Sequence, residues 1–240
     1  QLFGSLTVLE NLAIASPNEG KSGGKRGEQR DAFGEQDAVR LLAFAGYRGD
    51  LHARAADLPH VDRRLVEIAR ALATRPAVLL LDEPAAGLAR ADKAALGALL
   101  RRIAQSGIAV LLVEHDMEMV MGISDHVVVL DAGTPIAAGT PQAVQQDPAV
   151  RSAYLGSGQR EPAARAAGAA PGEVLLDVVS LEAGYGAEPV LKGIDLRVHA
   201  GELVAVLGAN GAGKSTLMRA LSGLHRPVGG NVFFQKNPIN

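Results

Sequence analysis

The chain has 240 residues, a formal net charge of −2 and 48% hydrophobic residues, enough for one large α/β domain or two small ones. With 3% aromatics, Leu, Val, Ile and Ala must build the core, and the lack of cysteine excludes disulfides, thiolate catalysis and Cys-ligated zinc. The balanced charge argues against nucleic acid as a partner, no apolar run reaches the ~20 residues of a membrane span, and Gln1-Leu2-Phe3-Gly4 has no signal pattern. The expectation is a soluble cytoplasmic protein whose membrane role, if it has one, comes through a partner.

Residues 7–15 are predicted helical, and residues 16–30, rich in Gly, Lys and Arg, are predicted to be a solvated loop. Within that loop Gly20-Lys21-Ser22 imitates a phosphate-binding sequence, but Ala15 stands where the first Gly is required and no strand precedes it. Residues 35–46 are predicted to form a short helix with Val39, Leu42 and Ala43 on one side. Over 62–75, Leu65, Ile68, Ala69 and Leu72 recur at helical spacing and predict an amphipathic helix ended by Pro76. The apolar run 77–81 predicts a strand buried on both faces of a parallel sheet. Residues 91–106 form a helix with Leu96, Leu99, Leu100 and Ile103 inward and Gly107 as its stop, and 108–113 is a second buried strand. Strand, helix, strand at these lengths is a βαβ unit. Residues 126–130 and 136–138, around Asp131-Ala132-Gly133, predict a hairpin. Residues 157–172 are Ala-, Gly-, Pro- and Arg-rich without periodicity and read as an interdomain linker. Beyond it lie strand patterns at 174–181, 190–198 and 203–207, a helix at 214–224 stopped near Gly223, and a polar tail from Gln235.

Three segments carry chemistry. Gly208-Ala209-Asn210-Gly211-Ala212-Gly213-Lys214-Ser215 follows an apolar strand and opens a helix, the context of a phosphate-binding loop. Its glycines let backbone N–H groups curl around phosphates, and the helix N-terminus adds positive potential. Lys214 is placed to reach the β- and γ-phosphates, and the Ser215 hydroxyl to ligate magnesium. The run ending Leu81-Asp82-Glu83-Pro84 puts two carboxylates at the C-terminal edge of a strand, where parallel sheets bind ligands. Asp82 would hold magnesium through its water shell, and Glu83 would polarise the attacking water. His115, in Glu114-His115-Asp116 at the end of the next strand, can touch the γ-phosphate.

Together these motifs resemble the ABC transporter ATPases over nearly the whole chain, and more closely the paired ATP-binding subunits of branched-chain amino acid importers. Residues 1–156 resemble the C-terminal part of one subunit, through Leu6-Thr7-Val8-Leu9-Glu10-Asn11-Leu12, the Asp82–Glu83 segment, Leu112-Val113-Glu114-His115-Asp116-Met117, and the stretch from Ala138-Gly139-Thr140-Pro141 to Ala153-Tyr154-Leu155-Gly156. Residues 173–240 resemble the N-terminal part of a partner subunit, through Ala183-Gly184-Tyr185-Gly186 and the loop from Gly208 to Ser215 and Thr216. The resemblance implies a phosphate-loop NTPase fold: a mainly parallel sheet with flanking helices, a small helical subdomain and an antiparallel β subdomain, here in permuted motif order.

It further implies ATP and Mg2+ as ligands. Gly208, Asn210, Gly211, Ala212, Gly213, Lys214, Ser215 and Thr216 would cradle the phosphates, and Tyr185 would stack on adenine. Ser215 and Asp82 would hold the metal, with Glu83 and His115 catalytic and Ala85-Ala86-Gly87-Leu88 as the D-loop. The implied partners are membrane permease subunits of an importer and a second ATPase cassette, at the inner face of the cell membrane. Two departures stand out: Val61 occupies the position of the family's signature glycine, with His60 where this subfamily has Tyr, and the Q-loop glutamine falls one step before Gln1. Two other readings stay open. One is a nucleotide-binding scaffold that does not hydrolyse, because Val61 obstructs the signature; the other is a soluble phosphate-loop kinase, against which the Asp-Glu-Pro and Glu-His-Asp segments argue. Complementarity of the two parts predicts that the strand at 203–207 joins the sheet of 77–81 and 108–113.

Overall fold

The computed structural model describes residues 2–16, 34–152, 172–186 and 188–239. The chain forms two compact units, Gln1–Pro76 and Ala77–Asn240. This division falls inside the part that resembles one subunit, not at the expected linker, most of which lies outside the described residues together with the Gly20-Lys21-Ser22 loop and residues 153–156.

The first unit holds α1 (Val8–Ala15), α2 (Glu35–Ala45) and α3 (His60–Ala73). Thr7 starts α1 through a capping box: its hydroxyl accepts from the Glu10 N–H and the Glu10 carboxylate accepts from the Thr7 N–H at 2.8 Å. The buried Asn11 ties down the preceding turn, accepting from Phe3 N–H and donating to the Phe3 and Thr7 carbonyls. In α2 the inward face is Ala38, Leu42 and Ala45, and the expected Val39 and Ala43 are exposed. Spacing of i, i+4, i+7 selects that face; only Leu42 was placed correctly. α3 starts two residues earlier than predicted, so His60 and Val61 lie in its first turn, and its buried face is Val66, Ile68, Ala69, Leu72 and Ala73 with Leu65 half-buried.

The second unit is layered. Its main sheet contains β1 (Val78–Asp82), β2 (Ala109–Glu114), β3 (His126–Asp131), β4 (Thr134–Gly139) and, from the far end of the chain, β7 (Leu203–Gly208), in the order β1-β2-β7-β3-β4. β1, β2, β7 and β3 are parallel, and β4 closes a hairpin with β3. The predicted entry of the strand at 203–207 into this sheet is met, with Leu111 opposite Val204 on one side and Val127 opposite Ala205 on the other. Helix α4 (Arg90–Gln105) makes the crossover from β1 to β2, with Leu96, Leu99, Leu100 and Ile103 buried as expected. It covers one sheet face with α5 (Met117–Ile123), while α6 (Pro141–Gln146) and α7 (Pro148–Val150) pack beside β4.

The opposite face carries α8 (Lys214–Leu221) and an antiparallel sheet of β5 (Val174–Ala183), β6 (Leu191–His199), β8 (Gly229–Phe234) and β9 (Asn237–Pro238). Their shared core joins Leu111, Val113, Val204 and Val206 to Leu217 and Leu221 of α8 and to Leu181, Leu191, Ile194 and Val198. Alternate residues of β7 therefore face opposite layers, and all six are buried. β1 corrects one expectation. It is half-buried, because among the described residues it is paired on one side alone and lies at the sheet edge. β8 and β9 were not anticipated: Gln235 and Lys236 at positive φ turn the polar tail back on β8.

A turn couples the layers. Gly133, between β3 and β4, donates its N–H to the Ala212 carbonyl and accepts from the Lys192 N–H. Its φ is +80°, and an added Cβ would sit 1.6 Å from the Val190 carbonyl oxygen. Gly133→Ala should destabilise the second unit by about 3 kcal/mol or more, since both backbone strain and a backbone clash must be relieved. Thermal unfolding of the variant checks this, and an unchanged midpoint would contradict it.

Candidate functional site

Three strand ends converge at the C-terminal edge of the parallel sheet. β1 delivers Asp82 and Glu83, β2 delivers Glu114 and His115, and β7 runs into the loop from Gly208 to Gly213. Register places these groups side by side: Asp82 pairs with Val113, and Glu114 with Leu207.

The loop wraps back because Gly211 and Gly213 adopt positive φ, +85° and +98°. Gly213 is also the N-cap of α8, and a Cβ there would approach Leu191 Cδ2 to 2.7 Å, so neither the turn nor the packing accepts a side chain. Lys214 opens α8 and folds back over the loop, 5% exposed, its ammonium donating to the Gly208 and Ala209 carbonyls at 2.9 and 3.1 Å. Its Nζ also lies 3.3 Å from Glu83 Oε1. The same carboxylate oxygen is 3.6 Å from His115 Nδ1. Lys214, Glu83 and His115, predicted from three separate segments, thus form one cluster. Asp82, Ser215 and Asn210 are exposed, and Thr216 is buried in the first turn of α8.

Glu83 sits at φ +45°, a left-handed conformation that a non-glycine residue adopts at a cost. It is held there by its N–H, which donates to the Val113 carbonyl at 2.9 Å. The following segment is held by Glu114, which sequence reasoning passed over. This carboxylate is 1% exposed and accepts from the Ala85 N–H at 2.8 Å and from the His115 N–H at 3.2 Å. One buried acid therefore spaces the Ala85-Ala86-Gly87-Leu88 loop from the histidine. Its only sequence signal was an acid at the end of an otherwise apolar strand. Asp116 was also unassigned. It caps α5 by accepting from the Met119 N–H, and pairs with Lys93 of α4 at 2.6 Å. Tyr185, 58% exposed, follows β5, and its hydroxyl accepts from Arg219 of α8.

This arrangement has groups suited to holding a polyphosphate. Loop N–H groups and one buried ammonium offer positive potential, and a carboxylate stands beside it to accept a proton. Asp82 and Ser215 offer hard oxygen donors of the kind magnesium takes. Magnesium keeps several waters and shares phosphate oxygens, so two protein donors suit it, and among the described residues no group of three His, Cys, Asp or Glu forms a dedicated metal cage.

Comparisons with known proteins find the following likenesses. The family described as "ABC transporter" matches residues 191–240, and "Branched-chain amino acid ATP-binding cassette transporter" matches residues 134–159. A ribose import ATP-binding protein, RbsA 1 of Rubrobacter xylanophilus, is 36% identical over 245 aligned positions, 99% of this chain and 45% of that protein. The high-affinity branched-chain amino acid transport ATP-binding protein LivG of Escherichia coli K12 is 38% identical over 166 positions, 65% of this chain and 64% of that protein. The chain thus spans about half to two thirds of the length of the curated relatives it matches. Among solved structures, the ADP conformation of an ATP-binding cassette of an ABC transporter superposes with a TM-score of 0.53 at 30% identity, covering 64% of both chains. These matches make the chain similar, over most of its length, to ATP-binding proteins of ABC transporters. No helix among the described residues is long and apolar enough to cross a membrane.

The Lys93–Asp116 pair gives the site a pH signature. Burial works to raise the Asp116 pKa, but the hydrogen bonds from Lys93 and the Met119 N–H outweigh it and hold the carboxyl below its usual range. A folded pKa below the unfolded one adds stability that is present above the ordinary carboxylate range and is lost as pH falls through the depressed value. Asp116→Asn, which keeps the cap, should therefore lower stability by about 1 kcal/mol at pH 7. The difference from the parent should shrink to nothing in acid. Denaturant titrations at several pH values check this; a pH-independent difference would contradict it.

Proposed function

We propose that the second unit forms a single site for ATP with magnesium and that, in the complete protein, this site hydrolyses ATP to drive an importer. One observation carries the reading: the Lys214 ammonium and the His115 ring, from segments far apart in the chain, both stand within 3.6 Å of one oxygen of Glu83. In that reading the N–H groups from Gly208 to Ser215 cradle the phosphates. Lys214 exchanges its two carbonyl contacts for β- and γ-phosphate oxygens. Asp82 and Ser215 hold magnesium, which neutralises the phosphate charge. Glu83 takes the proton of a water whose oxygen attacks the γ-phosphorus, as the bond to the departing ADP oxygen breaks. His115 stands beside the attacking water and the γ-phosphate. The left-handed backbone of Glu83 aims its carboxylate at this point instead of along β1.

The importer assignment rests on the relatives. The similarity to LivG and the family match at 134–159 favour branched-chain amino acids as cargo, with membrane permease subunits and a second cassette as partners at the inner membrane face. The 36% match to a ribose import protein keeps sugar import as the competing cargo. A second architecture is favoured by that same match. It takes in 99% of this chain yet 45% of the relative, which leaves room in the relative for as much sequence again. On that reading residues 1–156 end one cassette and 173–240 begin the next, and each is completed by sequence outside the chain.

Lys214→Ala should abolish ATP binding, and Glu83→Gln should keep it while removing hydrolysis; calorimetry and phosphate release measure the two effects. Unchanged affinity in the lysine variant would defeat the single-site reading. Turnover of the parent chain is expected to be weak, because Val61 stands in the first turn of α3 where the family has glycine, and a branched side chain obstructs approach of the γ-phosphate held by a second cassette, across the dimer, to the backbone N–H groups. Val61→Gly should raise turnover by roughly 10²-fold, the size of one transition-state contact of this kind. A chain that still binds ATP and shows no gain would remove Val61 as the cause.

A further inference from the structure

We propose that Arg219 and His225 are positioning residues that hold Tyr185 as a fixed platform for the nucleotide base, at a set distance from the phosphate loop. The inference rests on the nucleotide reading above and assigns roles to two residues that the motifs do not include.

A tyrosine between Gly184 and Gly186, 58% exposed at the end of a strand, has little of its own to fix its ring. Two residues do so here. Arg219 Nη1 donates to the Tyr185 hydroxyl at 2.9 Å, with the guanidinium carbon 6.0 Å from the ring centroid. That hydrogen bond is the largest of the effects that draw the Tyr185 pKa down. The His225 ring lies 4.6 Å from the Tyr185 ring, tilted by 40°.

His225 is itself pinned. Its Nε2 is 2.7 Å from the Gly184 carbonyl oxygen, which can only accept, so that nitrogen carries the proton. Its backbone N–H donates to the Arg219 carbonyl at 3.0 Å. Arg219 and His225 therefore form one clamp that grips the tyrosine at its hydroxyl, its ring and the preceding carbonyl.

Arg219 belongs to α8, the helix whose first residue is Lys214, and His225 follows just beyond the helix end, tied back to it by the Arg219 carbonyl. From that helix Arg219 reaches Tyr185, so the helix that presents the phosphate ligands also sets where the aromatic ring stands. Base and phosphate subsites are thereby held by one rigid rod. A ring locked before binding loses no rotamer freedom when a base stacks on it, and that saved entropy appears as affinity for base-bearing ligands only.

The test compares ATP with inorganic tripolyphosphate, which has no base, on the full 240-residue chain by calorimetry. Arg219→Ala and His225→Ala should each weaken ATP binding about tenfold, the scale of one stacking contact, and leave tripolyphosphate unchanged. Tyr185→Ala should do the same, and adding His225→Ala to it should cost nothing more, since His225 acts through the tyrosine. His225→Phe, which keeps a ring against Tyr185, should recover most of the loss. The proposal is overturned if His225→Ala leaves ATP affinity unchanged, tightens it, or weakens both ligands equally. If instead Tyr185→Ala itself spares ATP while Lys214→Ala abolishes it, the base platform fails and the phosphate site stands.

Discussion

The pairing of β7 on both of its edges is the constraint on which the second unit depends. β2 and β3 have no hydrogen bonds to each other; each is bonded to β7. Without it the main sheet is two separate pairs, each with a bare row of N–H and C=O groups in what is now the buried centre. With it, six consecutive buried residues knit both halves together and carry the core to α8 and the antiparallel sheet. The same strand ends in the phosphate-binding loop, so the interaction that closes the fold also delivers Lys214 to Glu83.

Around that junction, charge is arranged by burial. Lys214 is almost fully enclosed, and its ammonium is matched by two carbonyl oxygens and one carboxylate, so no buried cation is left uncompensated. Glu114 is equally enclosed and is matched by two backbone N–H groups. The two buried charges have opposite tasks. Lys214 faces the loop and can trade partners for a polyanion, whereas Glu114 faces the backbone and fixes the spacing of the segments that carry Glu83 and His115.

Much of this was legible in the sequence. Apolar runs at 77–81, 108–113 and 203–207 gave three of the parallel strands, because buried parallel strands need no alternation. The phosphate loop was legible because its glycines, lysine and strand–helix context occur together. What escaped had identifiable causes. A continuous apolar run does not reveal whether a strand is central or at an edge, and so β1 was placed too deep. The inward face of α2 was misassigned because Val39 is more apolar than Ala38, yet helical geometry, not hydropathy, puts Ala38 beside Leu42. Glu114, Arg219 and His225 were passed over because each acts by holding another group in place, and such roles depend on long-range contacts that no local pattern encodes. The boundary at Pro76 was also invisible, since it falls between a helix and a strand with no change in composition.

The position of β7 also has a consequence for how the molecule comes to be. Val110 of β2 and Leu203 of β7 are neighbours in the sheet but about ninety residues apart along the chain. Contacts of such long range slow folding, because loop closure must come before they return any stabilisation. A growing chain emerging from the ribosome makes β1, β2, β3 and β4 first, as two pairs with nothing between them, and holds them so until β7 has been synthesised. During that interval the inner edges of β2 and β3 are open to any passing strand, and the nascent protein is at its most vulnerable to aggregation and most dependent on chaperones.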